Sequence, residues 1–257
     1  MDINSLKEAA IEIARIGGAH TLNYFKKDFK VISKADDSPV TIADRETEQL
    51  MRQEILKRFP DHGIIGEEFE AVKSESRVQW VLDPIDGTKS FIYGVPFYTT
   101  LIGIMIDNEP QVGIIYAPAL DELCAAAIGY GATFNGKHCK VNDTSTLDES
   151  LLLVTEINRF NAMGMQPMFQ ELMDETRIHR TWGDAYGHMM VAIGRAEIMI
   201  DPELNLWDAA ALLPVVKESG GVFADLNGKE TIHSGNGYST NKSLYPKVQE
   251  IIDAHLS

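Results

Sequence analysis

The chain has 257 residues, 44% hydrophobic and 24% charged, with a formal net charge of −15. That length holds one large domain or two packed units, and the balance of residue types is ordinary for a soluble globular protein. The negative charge excludes nucleic acid as an electrostatic partner, and no apolar run approaches the ~20 residues needed to cross a bilayer.

The start, "MDINSLKEAAIEIARIGG", carries charges throughout and lacks the apolar stretch of a secretory signal, so a cytoplasmic protein with no membrane partner is expected. Leu6, Ala9, Ala10, Ile13, Gly17 and Tyr24 fall at helical spacing and predict a helix over 3–27. Gly17-Gly18 within it predicts close packing against another element. An extended piece at Lys30–Ser33 leads to the loop "KADDSP". A second helix is predicted over 41–59, capped by Thr41 and closed by Pro60. "HGIIGEE" and "VQWVLDP" read as strands ending in carboxylates, and "TTLIGIMID", "QVGIIYAP" and "ELCAAAIG" as an antiparallel meander. The glycine-rich "GYGATFNGK" reads as a connecting hairpin, and Cys124 and Cys139 show neither zinc nor disulfide-framework spacing.

From Leu151 strands and helices alternate. "LLLVTE" precedes a helix over 161–176, then come strand "IHRTW", a helix over 185–194, strand "EIMI", a helix over 207–219 and strand "GVFAD". That order predicts a second, α/β-type unit, with the division at 1–146 and 147–257.

Glu67, Glu68, Asp83, Asp86 and Asp208 each stand where an apolar element meets a loop, the positions from which charges converge on a crevice in layered α/β folds. Like charges gathered in one cleft must be protonated, separated or neutralised by cations. An all-oxygen set without Cys or His favours Mg²⁺ first and Mn²⁺ second. In "DPIDGT" the Ile85 carbonyl can serve as a neutral ligand. Gly87 lets the backbone approach closely, and Thr88 can open a short helix whose N–H groups hold a phosphate oxyanion. Taken singly, these residues read equally well otherwise. Asp83 and Asp86 are good turn formers, Glu67-Glu68 a solvated strand end, Asp208 a charge favoured at a helix start, and Asp44 the partner of Thr41 in a capping box.

Together, "IIGEE", "WVLDPIDGTKSFIYGVPFYTTLIGI" and "LWDAAALLPVVKESGG" resemble, in order and over essentially the whole chain, the inositol monophosphatase-like superfamily. The resemblance implies a layered αβαβα fold of the α/β (α+β) class, a homodimer, and hydrolysis of a small phosphate monoester with two or three Mg²⁺ per site. It implies Glu67, Asp83, the Ile85 carbonyl, Asp86 and Asp208 as metal ligands. By the same resemblance, Glu67, Asp44 and Thr88 are catalytic, the last two orienting a metal-activated water, and Gly87 and Thr88 bind phosphate. Bound cations would also reconcile an acidic chain with an anionic substrate.

Within the superfamily, inositol phosphatases continue "DPIDGT" with Thr-Asn-Phe, where this chain has Lys89-Ser90-Phe91. "RTWGDAYGHMMVAIGRAEIMID" looks like the histidinol-phosphatase branch, although Tyr93 stands where Arg is common and His188 where an aromatic is common. Asp184 and Asp201 match positions that contact the organic part of the substrate, and Asp208 is expected to bind substrate as well as metal. Two carboxylates there suit the cationic histidinol better than a neutral polyol. Asp184 capping its own helix, and Trp182 and Tyr186 serving the core rather than stacking on an imidazole, are the plainer alternatives. Arg180 and His188 are weaker candidates for substrate contact. An inositol or sugar-alcohol monophosphatase is the alternative enzyme, and a fold-retaining regulatory binding protein the alternative without catalysis.

Overall fold

The computed structural model describes residues 2–27, 31–33 and 39–256. The expected loop over 34–38, with Lys30, lies outside them. Helix α1 (Ile3–Thr21), the antiparallel pair β1 (Val31–Ser33) and β2 (Pro39–Thr41), and α2 (Ile42–Arg58) open the chain. The seven-stranded sheet follows, from β3 (Gly63–Gly66), β4 (Val78–Asp86), β5 (Thr99–Ile106), β6 (Glu109–Ala117), β7 (Glu122–Ala127), β8 (Ala132–Phe134) and β9 (Lys137–His138). Its strands lie side by side in chain order, with the short α3 (Thr88–Ile92) between β4 and β5. Only β3 and β4 run parallel, and the rest is the expected meander and hairpin.

The second sheet has five strands in the order β11-β10-β12-β14-β13. These are β10 (Leu151–Val154), β11 (Ile178–Arg180), β12 (Ile198–Asp201), β13 (Val222–Ala224) and β14 (Gly237–Thr240). Around it run α4 (Ile157–Ala162), α5 (Gln166–Glu175), α6 (Asp184–Ala192), α7 (Leu206–Glu218) and α8 (Tyr245–Leu256). We propose that the chain divides into its two units between β9 and β10, with α7 reaching back over the first sheet.

Strand alternation builds the layers. Trp80, Leu82, Ile102, Ile104 and Ile114 face α1 and α2, meeting Leu6, Ile13, Met51 and Ile55. Their neighbours Val81, Leu101, Met105 and Ile115 face the other way, onto α6 and α7. Leu152, Val154, Ile198 and Ile200 pack beneath α5 and α8 on the far side of the second sheet. The result is the expected αβαβα stack. Gly103 and Gly113 stand opposite one another on β5 and β6. A Cβ at Gly103 would lie 2.6 Å from Ala210 Cβ, and one at Gly113 would overlap the Ala211 carbonyl. This notch seats the Ala-rich start of α7 on the sheet, so Asp208 arrives over the end of β4. No helix among the described residues is long and apolar enough to cross a membrane.

Two boundaries and two elements differ from expectation. Helix α1 stops at Thr21, whose hydroxyl bonds back to the Gly18 carbonyl at 2.7 Å, and Tyr24 and Phe25 then turn down against Ala43, Ile85, Phe91 and Tyr98. The single helix expected over 161–176 is two helices, parted at Gly164 with φ +72°. β14 and α8 were not anticipated.

Candidate active site

Asp83 and Asp86 are three residues apart on β4, so in a regular strand they would point to opposite faces. Asp83 pairs with Leu101 and Asp86 with Thr99. The strand therefore carries one extra residue between them, a bulge that turns both carboxylates into the same space. The Thr100 hydroxyl holds the bulge by donating to the Pro84 carbonyl at 2.9 Å. Asp208, from the first turn of α7, completes a cluster in which one carboxylate oxygen from each residue lies within 4.8 Å of the others.

Each carboxylate accepts at least one backbone N–H. Asp83 Oδ1 accepts the Ile85 N–H at 3.0 Å. Asp86 Oδ2 accepts the Ala185 N–H at 2.8 Å and the Thr99 hydroxyl at 2.9 Å. Asp208 Oδ2 accepts the Asn205 N–H at 2.7 Å. Asp44 belongs to the same pattern from α2. Its Oδ2 accepts the Thr41 N–H at 2.8 Å and the Thr41 hydroxyl, while its Oδ1 is buried without a hydrogen-bond partner. The cap therefore engages only one of the two oxygens of Asp44.

Asp83 is 2% exposed, Asp86 8% and Asp44 1%. Loss of water pushes the Asp83 carboxyl well above its usual range, and Glu67, Asp86, Asp208 and Asp44 add repulsion. Asp86 is raised by burial and by Asp184, against the pull of its two donors. Asp208 is pushed up to about 8 by burial and Asp86, and Asp44 to about 6 by burial, with Glu67 adding to it. Among the described residues, no Lys or Arg bonds to Asp83, Asp86 or Asp208. A buried, unneutralised, all-oxygen set of this kind fits a hard divalent cation.

Glu67, whose N–H bonds the Leu82 carbonyl at 3.2 Å, lines the cavity beside the cluster. The cavity holds about 470 Å³ and is bordered also by Asp184, Asp201, Asp208, Glu156 and Trp207. A smaller one of about 330 Å³ adjoins it through Glu67, Glu156 and Asp184, with Gly87, Thr88 and Lys89 on its wall. Gly87 has φ +77° and precedes α3, and a Cβ there would stand 2.8 Å from Asp184 Oδ2. The Thr88 hydroxyl donates to the Ile85 carbonyl at 3.1 Å.

Asp184 does not cap its helix through its side chain. Gly183 is the N-cap residue, and Asp184 sits at φ +53° with its N–H on Thr155 Oγ1 at 2.7 Å. That backbone conformation is costly for a residue with a Cβ, and it aims the carboxylate at Gly87. Burial and Asp201 push Asp184 up to about 7. Asp201 is held by His188, whose Nε2 lies 3.2 Å from Asp201 Oδ2 and whose Nδ1 lies 2.6 Å from Ser239 Oγ. Tyr186 serves the core, stacked on Phe97 and bonded to Glu122. Arg180 lies on the exposed edge strand β11. Sequence reasoning passed over two cavity residues: Glu156, two residues past β10, although the strand-end rule that singles out Asp83 covers it, and Glu203, which carries no local signal. Trp207 enters there only as part of the motif "LWDAAALLPVVKESGG".

The model of the inositol monophosphatase family matches residues 2–256. A histidinol-phosphatase of Chlorobaculum parvum is 42% identical over 243 residues, covering 92% of each chain. One of Streptomyces coelicolor is 36% identical over 92% of each. The crystal structure of the extragenic suppressor protein suhB from Bartonella henselae superposes with a TM-score of 0.91 at 26% identity, over 96% of this chain and 98% of that one.

Proposed function

The chain belongs to the inositol monophosphatase family of metal-dependent phosphoric monoester hydrolases, and we propose that its substrate is histidinol phosphate, hydrolysed to histidinol and inorganic phosphate. The observation that carries this reading is the acidic lining of the cavity beyond the cluster, from Asp184, Asp201, Glu156 and Glu203. A leaving group bearing an ammonium and an imidazole suits such a wall better than a neutral polyol does. The two cations nearby pair with the outer members of that wall, Arg159 with Glu203 at 2.9 Å and Lys89 with Glu156 at 2.8 Å, which leaves Asp184 and Asp201 as its carboxylates with no Lys or Arg partner among the described residues. Likeness to histidinol-phosphatases supports the same choice.

Glu67, Asp83, the Ile85 carbonyl, Asp86 and Asp208 would hold Mg²⁺, in a homodimer as the resemblance implies. When bound, the cation supplies Lewis acidity toward water and phosphoryl oxygens and offsets the negative charge of the pocket. Asp44 Oδ1, buried and unpartnered, accepts a hydrogen bond from the attacking water. The Thr88 hydroxyl proton is committed to the Ile85 carbonyl, so its oxygen lone pairs accept a second one. The N–H groups of Gly87 and Thr88 bind a phosphoryl oxygen. Asp184 and Asp201, the latter steadied by His188, bind the amine of the alcohol.

Initial rates with Mg²⁺ on histidinol phosphate, inositol 1-phosphate and glycerol 2-phosphate test this. We expect kcat/KM for histidinol phosphate to exceed the others by about 100-fold or more, the scale of the roughly 1–3 kcal/mol cost of leaving a buried polar group unpaired when the wrong alcohol binds. A preference for inositol 1-phosphate overturns it in favour of the second reading, a sugar-alcohol monophosphatase, which the family match itself supports.

The raised carboxyls give the metal a pH signature. Asp44, Asp184 and Asp208 are held at about 6, 7 and 8 against an ordinary 3.8. Groups raised on folding favour the folded state at low pH, and that contribution is lost as pH climbs through 6 to 8. A divalent cation competes with those protons and relieves the repulsion. The rise in Tm caused by Mg²⁺ should therefore be larger at pH 8 than at pH 6. Scanning fluorimetry with and without Mg²⁺ checks it, and an equal rise at both values counts against the metal assignment.

A further inference from the structure

Helix α2 meets the site twice. Asp44 faces the carboxylate cluster from its first turn. One turn later Glu48 is wholly buried under the end of β3. Its Oε2 accepts the Glu68 N–H at 2.7 Å, and its Oε1 accepts Arg52 Nε–H at 2.7 Å. Arg52 then donates to the Glu70 carbonyl at 3.1 Å and the Phe69 carbonyl at 3.0 Å. Its guanidinium carbon lies 5.8 Å from the centroid of the Phe69 ring. On the other side of Glu67, a Cβ at Gly66 would overlap the Glu48 carboxylate. The backbone on both sides of Glu67 is thus seated on one buried ion pair.

Such a pair is a weak source of stability, because two charges must be stripped of water to form it. Its geometry suggests another use. As a metal ligand, Glu67 would have to be presented to Asp83 and Asp208 at a fixed height. We propose that Glu48 and Arg52 are positioning residues that hold the 67–70 turn, and with it the Glu67 carboxylate, in the geometry that binds the divalent cation. Because both anchors lie on the helix that carries Asp44, the water-orienting oxygen and the ligand share one rigid platform. This inference rests on the metal reading above.

Calorimetric titration of Mg²⁺ into the wild type, Glu48→Gln and Arg52→Lys tests it. Gln sets an N–H₂ against Arg52 or against the Glu68 N–H. Lys keeps the charge beside Glu48 but cannot fork to the Phe69 and Glu70 carbonyls. The expected result is a Kd for Mg²⁺ weakened about 10-fold or more in both, the scale seen when partners of metal ligands are changed. kcat should return to near the wild-type value at saturating Mg²⁺. Unchanged affinity, whatever happens to Tm, overturns the proposal and leaves the pair a structural brace. So does a loss of kcat that Mg²⁺ does not restore. A wild type that binds no Mg²⁺ overturns the metal reading instead. If Glu48→Gln does not fold, Arg52→Lys carries the test.

Discussion

Replacing Asp83 by Asn should lower kcat/KM by more than about 100-fold at every Mg²⁺ concentration, while making the metal-free protein more stable. The first figure exceeds what the loss of a mere partner of a ligand costs. Asp83 is the carboxylate that feels all of its neighbours, since Glu67, Asp86, Asp208 and Asp44 each act on it. It is also among the most buried of them. Asn keeps the shape, and its carbonyl oxygen still accepts the Ile85 N–H that Asp83 Oδ1 takes at 3.0 Å. Only the charge is lost, and with it the anchor for a divalent cation. The same change removes repulsion from a crowded cluster, so Tm without metal should rise, and the additional rise on adding Mg²⁺ should shrink. Sites built of like charges trade stability for function in this way. The opposite signs matter because a misfolded variant would lose both activity and Tm. Phosphate release across a Mg²⁺ titration, paired with thermal melts, reads them. Activity within a few-fold of wild type would remove Asp83 from the metal site.

Much of this was legible because apolar patterning and end signals are local. The meander from Thr99 to Ala127 announces itself by runs of Ile, Val and Ala broken at Asn108-Glu109 and Asp121. Thr41 and Asp44 spell out a helix start three residues apart. Where the reading fell short, the deciding contacts are distant in sequence. Strand β14, "GYST", looks like a polar turn, yet it is buried between β12 and β13 and its serine meets His188. Glu48 and Arg52, at i and i+4 on a helix, have the spacing of an ordinary solvated pair, and only the turn after β3 lying over them makes them buried. The odd spacing of Asp83 and Asp86 was in plain sight. A strand cannot aim residues three apart at one point without an extra residue, and the Pro84-Ile85 bulge follows from taking both as ligands. Carboxylates that converge from β4, α2 and α7 look, residue by residue, like separate turns and caps, and only their convergence in space marks them out.

Asp44→Asn should separate positioning of the water from binding of the metal. The side chain of Asn can still accept the Thr41 N–H through its carbonyl oxygen, so the cap on α2 survives. What changes is the second position, where the unpartnered Oδ1 becomes an N–H₂ that donates toward the cluster instead of accepting. A water held there would be turned the wrong way for attack. We expect kcat to fall by about 10²- to 10⁴-fold, the span of a lost acid–base or water-orienting group. The Kd for Mg²⁺ and the KM for substrate should each move less than about threefold, since Asp44 is not counted among the ligands. The pH profile gives an independent reading. Burial and Glu67 hold the metal-free Asp44 at about 6, and a nearby cation favours its ionised form and moves it lower. In the wild type, kcat should then climb with pH through a limb at or below 6, as Asp44 loses its proton and becomes a full acceptor. In Asp44→Asn, with Mg²⁺ saturating the site at every pH so that proton competition at Asp184 and Asp208 is overcome, that limb should vanish, leaving a flat acid side at the lower rate. If instead Kd for Mg²⁺ weakens in step with kcat and the acid limb persists, Asp44 acts through the metal, and the water must be oriented by Thr88 and the cluster alone.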